Sequence, residues 1–524
     1  MKIERARKSE NKSSRWIVLS LGVILGIGFL LRSIGLDWKP PHFDEGINGN
    51  FVQHVWRDGF YRYDPKNFHG PLYFYVLLFA ELILGKSIFA YRFVTGLISL
   101  GAVALVAGHR RFFGTSALTA AWVLATSAGM VFYSRYAIHE SLFIFFQVLF
   151  SYGFFLWRDE KSRRAMACLI ASVVGMIAVK ETFFIFLGTW FIAIAMVNVR
   201  DRLWKREEQK SVSGDANGFW RKPATSHDWV IGTSIGIWCL IILFTGFFLN
   251  PKGFHDMFAA FAFWSKTGTG PSGHEKPFYY WLDLLYRYEW PALIALVLAL
   301  PLAWFAPFRK SVVALTAFGT WLAYSLIPYK TPWLILSMLW PLAFVFGFTF
   351  DYVSKRKRFK FVYGVIALTA LGVMYATMWR LNFRDFVNER EPYVYVQSTM
   401  QLKRVTDLVQ ARLREFPEDL TMRVLVLVRD PWPLPWIFSG FPGLAYGRAH
   451  DANLDRGAVI LIDAEDKDVI ETRLKGKYWR LPFKIRDSYE PGFAYMDFDR
   501  FIGLVPSDTP VFESAVALEG GEVR

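Results

Sequence analysis

Long apolar segments alternate with short polar ones over residues 1–379. The first apolar run, residues 16–36, follows a basic stretch at residues 2–15. About 21 residues are enough to cross a hydrocarbon core of roughly 30 Å, and no small-residue cleavage site follows, so we interpret this run as a retained transmembrane helix. Further runs lie at residues 71–84, 88–107, 118–133, 141–157, 166–179, 182–197, 229–249, 291–306, 312–326, 334–350 and 361–379.

Two of these runs adjoin each other between residues 166 and 197. As one helix, this stretch would be about 48 Å long at 1.5 Å per residue, which is too long for one crossing. Lys180 and Glu181 interrupt its middle. We therefore predict two crossings with the charged pair at the turn between them.

The basic residues of the loops predict the orientation of the helices. If residues 71–84 do not cross, the loops at 109–111, 158–164, 200–222, 309–310 and 355–360 all fall on the cytoplasmic side, where Lys and Arg accumulate. We therefore interpret residues 71–84 as a short juxtamembrane or re-entrant helix, and expect about eleven crossings with a cytoplasmic amino terminus. The loops at 37–70, 134–140, 180–181, 250–289 and 328–333 then lie on the outer face.

The chain changes character after residue 380. Charge rises, and short apolar strands at 424–428 and 459–462 alternate with an amphipathic stretch at 398–416. The predicted fold is a polytopic α-helical membrane protein. Its transmembrane domain spans residues 1–379, with outer loops 37–70 and 250–289, and a small α/β extracytoplasmic domain spans residues 380–524.

Composition supports a membrane protein. Of the 524 residues, 53% are hydrophobic, 18% aromatic and only 20% charged. The net charge of +15 comes from short basic clusters between apolar runs, so it does not indicate nucleic-acid binding. Cys168 and Cys239 lie in or beside apolar runs, and neither a disulfide framework nor a thiolate metal site is indicated.

The candidate chemistry lies in the outer loops. Asp44 and Glu45 follow two prolines just beyond the first helix, where they form either a catalytic pair or an ordinary solvated loop. Arg135, Lys180 with Glu181, and Lys330 lie within or beside apolar segments, where a charge costs roughly 2.5 to 3.5 kcal/mol and therefore often marks a functional site. The alternative for Lys180 and Glu181 is a structural ion pair at the helix ends.

Two further features leave alternatives open. The glycine-rich residues 268–274 and the aromatic residues 278–281 are typical of a lid over a site, or of an aromatic belt at the membrane surface. His54, His69 and His274 lack the spacing of a zinc site. A loosely held divalent cation that bridges Asp44, Glu140 and a phosphate is left open.

The motifs Phe-His-Gly-Pro-Leu-Tyr-Phe-Tyr at 68–75 and Gly-Lys-Ser-Ile-Phe-Ala-Tyr-Arg at 85–92, together with the acidic pair, carry a family resemblance. The chain resembles the dolichyl-phosphate-mannose-protein mannosyltransferase superfamily of GT-C enzymes, which includes the aminoarabinose transferases of lipid A. The motifs at 328–333, 391–395 and 432–436 resemble the branch labelled flippase-activity-associated membrane protein.

The resemblance implies site residues. Asp44 corresponds to the acidic base or substrate organiser, with Glu45 as its neighbour. The second outer acidic site falls at residues 133–140, where many relatives have Asp and this chain has His139 and Glu140, so either side chain could do the polar work; an interfacial cap between helices is the alternative. The residues expected to bind substrate are His69, Arg135, His139, Glu140, Lys180, Glu181, Tyr329 and Lys330.

The resulting hypothesis is an inverting glycosyltransferase at the outer face of the cytoplasmic membrane. It would move a sugar from a polyprenyl-phosphate donor to a lipid, glycan or protein acceptor. The leaving phosphate is already a stable anion stabilised by cations, so a carboxylate base such as Asp44 is the main requirement, and one direct displacement inverts the anomeric centre. The alternative is a non-catalytic partner in flipping or transporting a lipid-linked sugar.

Overall fold

The computed structural model describes residues 2–67, 69–204, 219–269 and 273–514. The chain forms two compact units. The helical unit consists of Met1–Leu36 and Phe60–Asp385, and the carboxyl-terminal unit consists of Asp37–Gly59 and Phe386–Arg524. The sequence placed residues 37–70 entirely within the transmembrane domain. The structure instead divides this loop, since its first 23 residues (37–59) pack with the carboxyl-terminal residues.

Helices make up most of the chain. In chain order they are α1 (Lys2–Ser33), α2 (Phe43–Asp58), α3 (Leu72–Leu84), α4 (Ile88–Gly108), α5 (Arg110–Phe113), α6 (Thr115–Thr126), α7 (Ala128–Ser134), α8 (Glu140–Glu160), α9 (Arg163–Val179), α10 (Phe183–Leu203), α11 (Ser226–Phe244), α12 (Lys252–Thr269), α13 (Tyr280–Tyr288), α14 (Trp290–Phe305), α15 (Phe308–Leu326), α16 (Leu336–Ser354), α17 (Lys357–Phe383), α18 (Met400–Glu415), α19 (Leu434–Ile437) and α20 (Lys467–Glu471).

The predicted multi-pass membrane architecture is confirmed. Among the described residues, 7 helices are long and apolar enough to cross a membrane, or 8 if α6 and α7, bent by 56°, form one span. Every apolar run predicted from the sequence is mostly helical, including the short α3, and the run at 118–133 is divided between α6 and α7. The count of eleven crossings, the cytoplasmic amino terminus and the outer face stay predictions.

The loop predicted at residues 250–289 is more regular than its glycines suggested. It contains α12 and α13, and residues 270–272 of the glycine-rich stretch lie outside the described residues. The helices form because aromatic and aliphatic residues recur with helical spacing on both sides of the glycines. The lid hypothesis stays a prediction.

The helical unit is built around α16. All its residues from Leu336 to Thr349 are buried, because this helix is apolar all round and packs against α6, α14, α15 and α17. Helices at the periphery, such as α1 and α11, leave many apolar side chains exposed. This pattern is typical of a bundle whose outer helices face lipid.

The carboxyl-terminal unit contains one six-stranded sheet, which confirms the small α/β domain predicted there. The strands are β1 (Arg423–Leu427), β2 (Gly443–Tyr446), β3 (Gly457–Asp463), β4 (Lys477–Phe483), β5 (Gly492–Asp497) and β6 (Val511–Glu513). Their spatial order is β2-β1-β3-β5-β4-β6, with β1 parallel to β2 and β3 and the other pairs antiparallel. Helix α18 packs Leu402, Val405 and Val409 against one face, and Ile470 of α20 contacts the other.

Candidate functional site

The acidic pair lies at the amino end of α2, where the two carboxylates differ in their surroundings. Glu45 is fully buried, and its Oε2 accepts from the backbone N–H of His42 at 2.8 Å. His42 Nδ1 in turn accepts from the backbone N–H of Asp44 at 3.1 Å, which completes a capping box. The Asp44 side chain is 32% exposed. Glu45 therefore stabilises the helix end, and Asp44 presents the accessible carboxylate.

His42 also ties this helix end to a motif far along the chain. Since its Nδ1 accepts a hydrogen bond from the Asp44 backbone N–H, its Nε2 carries the ring hydrogen and donates to the Tyr395 carbonyl at 2.7 Å. Tyr395 ends the motif at residues 391–395, and Gln397 Nε2 donates to the Pro40 carbonyl at 3.1 Å. The carboxyl-terminal unit thus fixes both the approach to α2 and its first turn.

Two glycines let α2 pack closely on α19. A Cβ at Gly46 would lie 2.4 Å from Pro433 Cβ, and one at Gly49 would lie 2.5 Å from the Trp436 ring. Neither neighbour is a flexible side-chain end, so a larger residue at either glycine would displace one helix from the other. The glycines and the motif at 432–436 therefore set the position of Asp44 within its unit.

A second group of candidates lies in the helical unit, where the chain around Gly70 meets the end of α9. The Gly70 N–H donates to the Val179 carbonyl at 3.0 Å, and a Cβ on Gly70 would lie 2.2 Å from the Ala178 carbonyl oxygen. Only glycine fits this approach. It places His69 beside Glu181, with Nδ1 and Oε2 2.9 Å apart.

Lys180 and Glu181 are neighbours in sequence but have different hydrogen-bond partners. Lys180 Nζ donates to Glu140 Oε1 in an ion pair between two side chains that are only 5% and 6% exposed. Burial disfavours the ammonium charge, but the nearby carboxylates of Glu140 and Glu181 outweigh it and raise the pKa of Lys180. We refer to His69, His139, Glu140, Lys180 and Glu181 as the buried charge cluster.

His139 completes the buried charge cluster as a neutral ring. Its centroid lies 4.6 Å from the centroids of both His69 and Tyr73. Burial, and then the charges of His69 and Lys180, hold the pKa of His139 well below its ordinary value of 6.5. Its Nε2 has no hydrogen-bond partner among the described residues. A neutral imidazole with an unused nitrogen can donate to or accept from a bound group.

The other predicted cations bind backbone carbonyls. Arg135 donates to the carbonyls of Leu31 at 3.0 Å and Gly35 at 3.1 Å, which satisfies the carboxyl end of α1. Its guanidinium also lies 4.8 Å from the Phe383 ring centroid. In this arrangement Arg135 anchors a helix end, and its role in binding substrate stays a prediction.

Lys330 is held in a similar way. Its Nζ donates to the carbonyls of Lys276 at 3.0 Å and Ile327 at 2.5 Å, and burial lowers its pKa. The neighbouring Tyr329 packs against His274, with ring centroids 5.2 Å apart. These contacts join residues 274–276 to 329–330 and give Lys330 a structural role in addition to the predicted binding role.

The sequence analysis missed Glu289 as a buried carboxyl group. Its Oε1 accepts from Ser127 Oγ at 2.8 Å and from the Gly129 N–H at 2.6 Å, at the bend between α6 and α7. Burial raises the pKa of Glu289 to about 7. The only sequence signal was a single acidic residue between Tyr288 and Trp290, which could not reveal a partner 160 positions away.

Metal coordination was left open by the sequence. Among the described residues, no three His, Cys, Asp or Glu side chains are grouped so that they could hold a metal ion.

Comparison with known proteins identifies the fold. No protein-family model matches this chain. No curated protein sequence matches it either. The structure is similar to that of ArnT from Cupriavidus metallidurans bound to undecaprenyl phosphate, with a TM-score of 0.60 and 12% identity, covering 94% of this chain and 99% of that one.

A second ArnT structure from the same organism, in the apo state, gives a TM-score of 0.57 and 13% identity over 92% of this chain and 98% of that one. The arabinofuranosyltransferase AftD from Mycobacteria gives a TM-score of 0.47 and 13% identity over 92% of this chain and 40% of that one. The chain therefore has the GT-C membrane glycosyltransferase fold, as predicted.

Proposed function

We propose that this protein is a membrane glycosyltransferase that uses a polyprenyl-phosphate-linked sugar as its donor. The observation that carries the proposal is the similarity in fold to ArnT over nearly the whole length of both chains, since one of the ArnT structures is bound to undecaprenyl phosphate. Identity of 12% leaves the sugar and the acceptor undetermined by that comparison. The roles proposed below are therefore argued from the residues of this chain.

Asp44 is the proposed general base. An acceptor hydroxyl must lose a proton as it attacks the anomeric carbon, whereas the polyprenyl phosphate leaves as a stable anion and needs no acid. Asp44 is more accessible than the buried Glu45, and it lies in the first turn of α2. Direct displacement with a single base inverts the configuration of the sugar.

Lys180 is the proposed contact for the donor phosphate, with His69 and the neutral His139 as neighbouring hydrogen-bonding groups. The electrostatics of the buried charge cluster set a condition on this role. One ammonium there faces the two carboxylates of Glu140 and Glu181, so an incoming phosphate would bring further negative charge to a site with a single cation. A structural ion pair is the competing role for Lys180.

The proposal is tested with the purified protein in lipid nanodiscs. Polyprenyl-phosphate mannose and polyprenyl-phosphate glucose, radiolabelled in the sugar, are incubated with the protein and a membrane-lipid extract. We expect time-dependent release of free polyprenyl phosphate and transfer of label to a new product with inverted anomeric configuration. Absence of turnover with every polyprenyl-phosphate sugar tried, in the presence of acceptor extract, would reject the transferase function.

The alternative is a non-catalytic partner in moving a lipid-linked sugar across the membrane. This alternative predicts saturable binding of the same donors without release of polyprenyl phosphate. Binding and turnover measured on one preparation therefore separate the two functions.

A further inference from the structure

A cavity of about 380 Å³ opens beside the carboxyl ends of β1 and β3 in the carboxyl-terminal unit. Strand β1 has β2 on one side and β3 on the other, so the chain changes direction across the sheet at this strand. The cavity walls include Arg429 and Asp430, which follow β1, and Asp463 at the end of β3. Such a switch point, outside the carboxyl ends of parallel strands, is where open α/β sheets bind ligands.

The side chains that line this cavity include groups of both charge signs, and the acidic ones outnumber the basic ones. Four carboxylates and two cations line it: Asp430, Asp463, Glu465, Glu490, Arg429 and Lys484. Several are held in place by the fold. Asp430 Oδ2 accepts from Arg486 Nη2 at 2.5 Å and from the Tyr489 hydroxyl at 2.7 Å, and Asp463 Oδ2 accepts from the Arg429 N–H at 3.0 Å.

This composition selects a class of ligand. The acidic excess repels phosphates and nucleic acids, and the charged walls do not suit a lipid tail. The described residues form no group of three or more ligands for a metal ion. Carboxylate oxygens can accept from hydroxyl groups. Lys484 can donate to hydroxyl and ring oxygens, and so can the remaining N–H groups of Arg429, which also pairs with Glu465.

An aromatic side chain adds an apolar surface. Tyr489 lines the cavity and is 38% exposed, and Phe483 lines it from a buried position. A ring beside fixed polar groups suits a ligand that has one apolar C–H face and a rim of hydroxyls, which describes a pyranose. The cavity volume also falls within the usual range for small-molecule sites of about 300 to 1,000 Å³.

One side chain connects the wall of the cavity to the helix that carries Asp44. The Arg486 guanidinium, which bonds to Asp430, lies 4.0 Å from the Tyr489 ring centroid and 4.6 Å from the Phe43 ring centroid. Arg486 is 4% exposed, and Phe43 is the first residue of α2, next to Asp44. A ligand in the cavity therefore lies one packed side chain from the first turn of α2.

We propose that this cavity binds the carbohydrate part of the acceptor, so that the acceptor is a glycan or glycolipid. The assignment as acceptor rests on the proposed transferase function. Binding of carbohydrate in the cavity is a property of the carboxyl-terminal unit that can be measured without turnover.

The test is saturation-transfer NMR on the full-length protein in nanodiscs, with the methyl glycosides of mannose, glucose and galactose as probes. Ethylammonium, calcium and inorganic phosphate serve as competitors for the charged groups. We expect saturable binding of at least one methyl glycoside. Tyr489→Ala and Glu490→Gln should each weaken it by about tenfold or more, because each removes a direct contact.

Glu513→Gln is the matched control, because Glu513 is an exposed carboxylate on β6 outside the cavity. It should leave glycoside affinity within about twofold of wild type. Melting temperatures within a few degrees of wild type would show that the variants are folded.

The outcomes separate two kinds of failure. Absence of saturable binding of every methyl glycoside would overturn the cavity assignment, as would glycoside binding that Tyr489→Ala and Glu490→Gln leave unchanged. Donor turnover without glycoside binding would overturn the cavity assignment and leave the transferase function standing. Glycoside binding without donor turnover would overturn the transferase function, and with it the assignment of the ligand as an acceptor.

Discussion

Two groups of carboxylates in this protein, one in each unit, are held in opposite ways. In the helical unit, Glu140, Glu181 and Glu289 are nearly inaccessible, and each has a hydrogen-bond partner within that unit. In the carboxyl-terminal unit, Asp44 at a helix start and Glu465 and Glu490 at the sheet edge are accessible. A buried carboxylate must be paired because desolvation is costly, whereas an accessible one can meet a solute. The comparison predicts that substitutions in the first group mainly affect stability and those in the second mainly affect activity.

The largest effect is expected at Asp44. Asp44→Asn preserves shape but cannot accept a proton at neutral pH, so transfer should fall by about a hundredfold or more while the melting temperature changes little. The measurement is the initial rate of label transfer in nanodiscs. Activity above about a tenth of wild type would remove Asp44 from the role of base.

Glu45→Ala is the matched variant for Asp44. It removes a capping carboxylate, so it should cost about 1 kcal/mol of stability and reduce transfer far less than Asp44→Asn does. If Glu45→Ala instead abolished transfer at an unchanged melting temperature, the roles assigned to the two carboxylates would be reversed.

A large effect on stability is expected at Lys180. Lys180→Met leaves Glu140 buried without its cation, which should cost about 3 to 5 kcal/mol, and Glu140→Gln should recover much of that loss in the double variant. Thermal melting of the single and double variants measures this coupling. Lys180→Met with Glu181→Gln, which changes the carboxylate adjacent in sequence, is the control pair that should show less rescue.

Donor affinity of the same variants tests the competing role of Lys180. A phosphate contact would weaken donor binding by about one to two orders of magnitude in Lys180→Met. If the double variant regains its stability and binds donor as wild type does, Lys180 is a structural residue and the phosphate role is excluded.

A smaller effect is expected at the contact between α2 and α19. Gly46→Ala forces a Cβ against Pro433 and should cost about 1 to 3 kcal/mol. Gly440→Ala, in the same unit, meets nothing within 4 Å and should be close to neutral. Equal melting temperatures for the two variants would mean that the close packing does not hold the first turn of α2.

The smallest effect is a dependence on pH. The pKa of His139 is lowered in the folded state, so the unfolded chain binds a proton near pH 6.5 that the folded protein does not. Stability should therefore fall as pH drops below about 6.5, by up to about 1.4 kcal/mol per pH unit.

Melting temperature between pH 5 and 8 measures the contribution of His139. His139→Gln should flatten the profile, whereas His255→Gln, at a side chain that is 82% exposed, should leave it unchanged. If His139→Gln and the wild type showed the same dependence of melting temperature on pH, the assignment of His139 as a buried neutral ring would be contradicted.

Several features could be predicted from the sequence because they depend on local patterns. Apolar runs of sufficient length fix helices such as α4 and α10, since a membrane span requires about 20 apolar residues in a row. Two short apolar runs in the carboxyl-terminal region, at 424–428 and 459–462, likewise predicted β1 and β3. The acidic residues and cations were also recognisable, because charges beside apolar segments are costly and therefore uncommon.

Only the tertiary structure decided which of those charges meet. It paired Lys180 with Glu140, 40 positions away, and gave Glu45 a capping role beside an accessible Asp44. It also packed α2 against α19 and brought the ends of β1, β3 and β4 around one cavity. Partners of this kind are selected by packing between segments that are distant along the chain, and neither helical period nor strand alternation carries information about them.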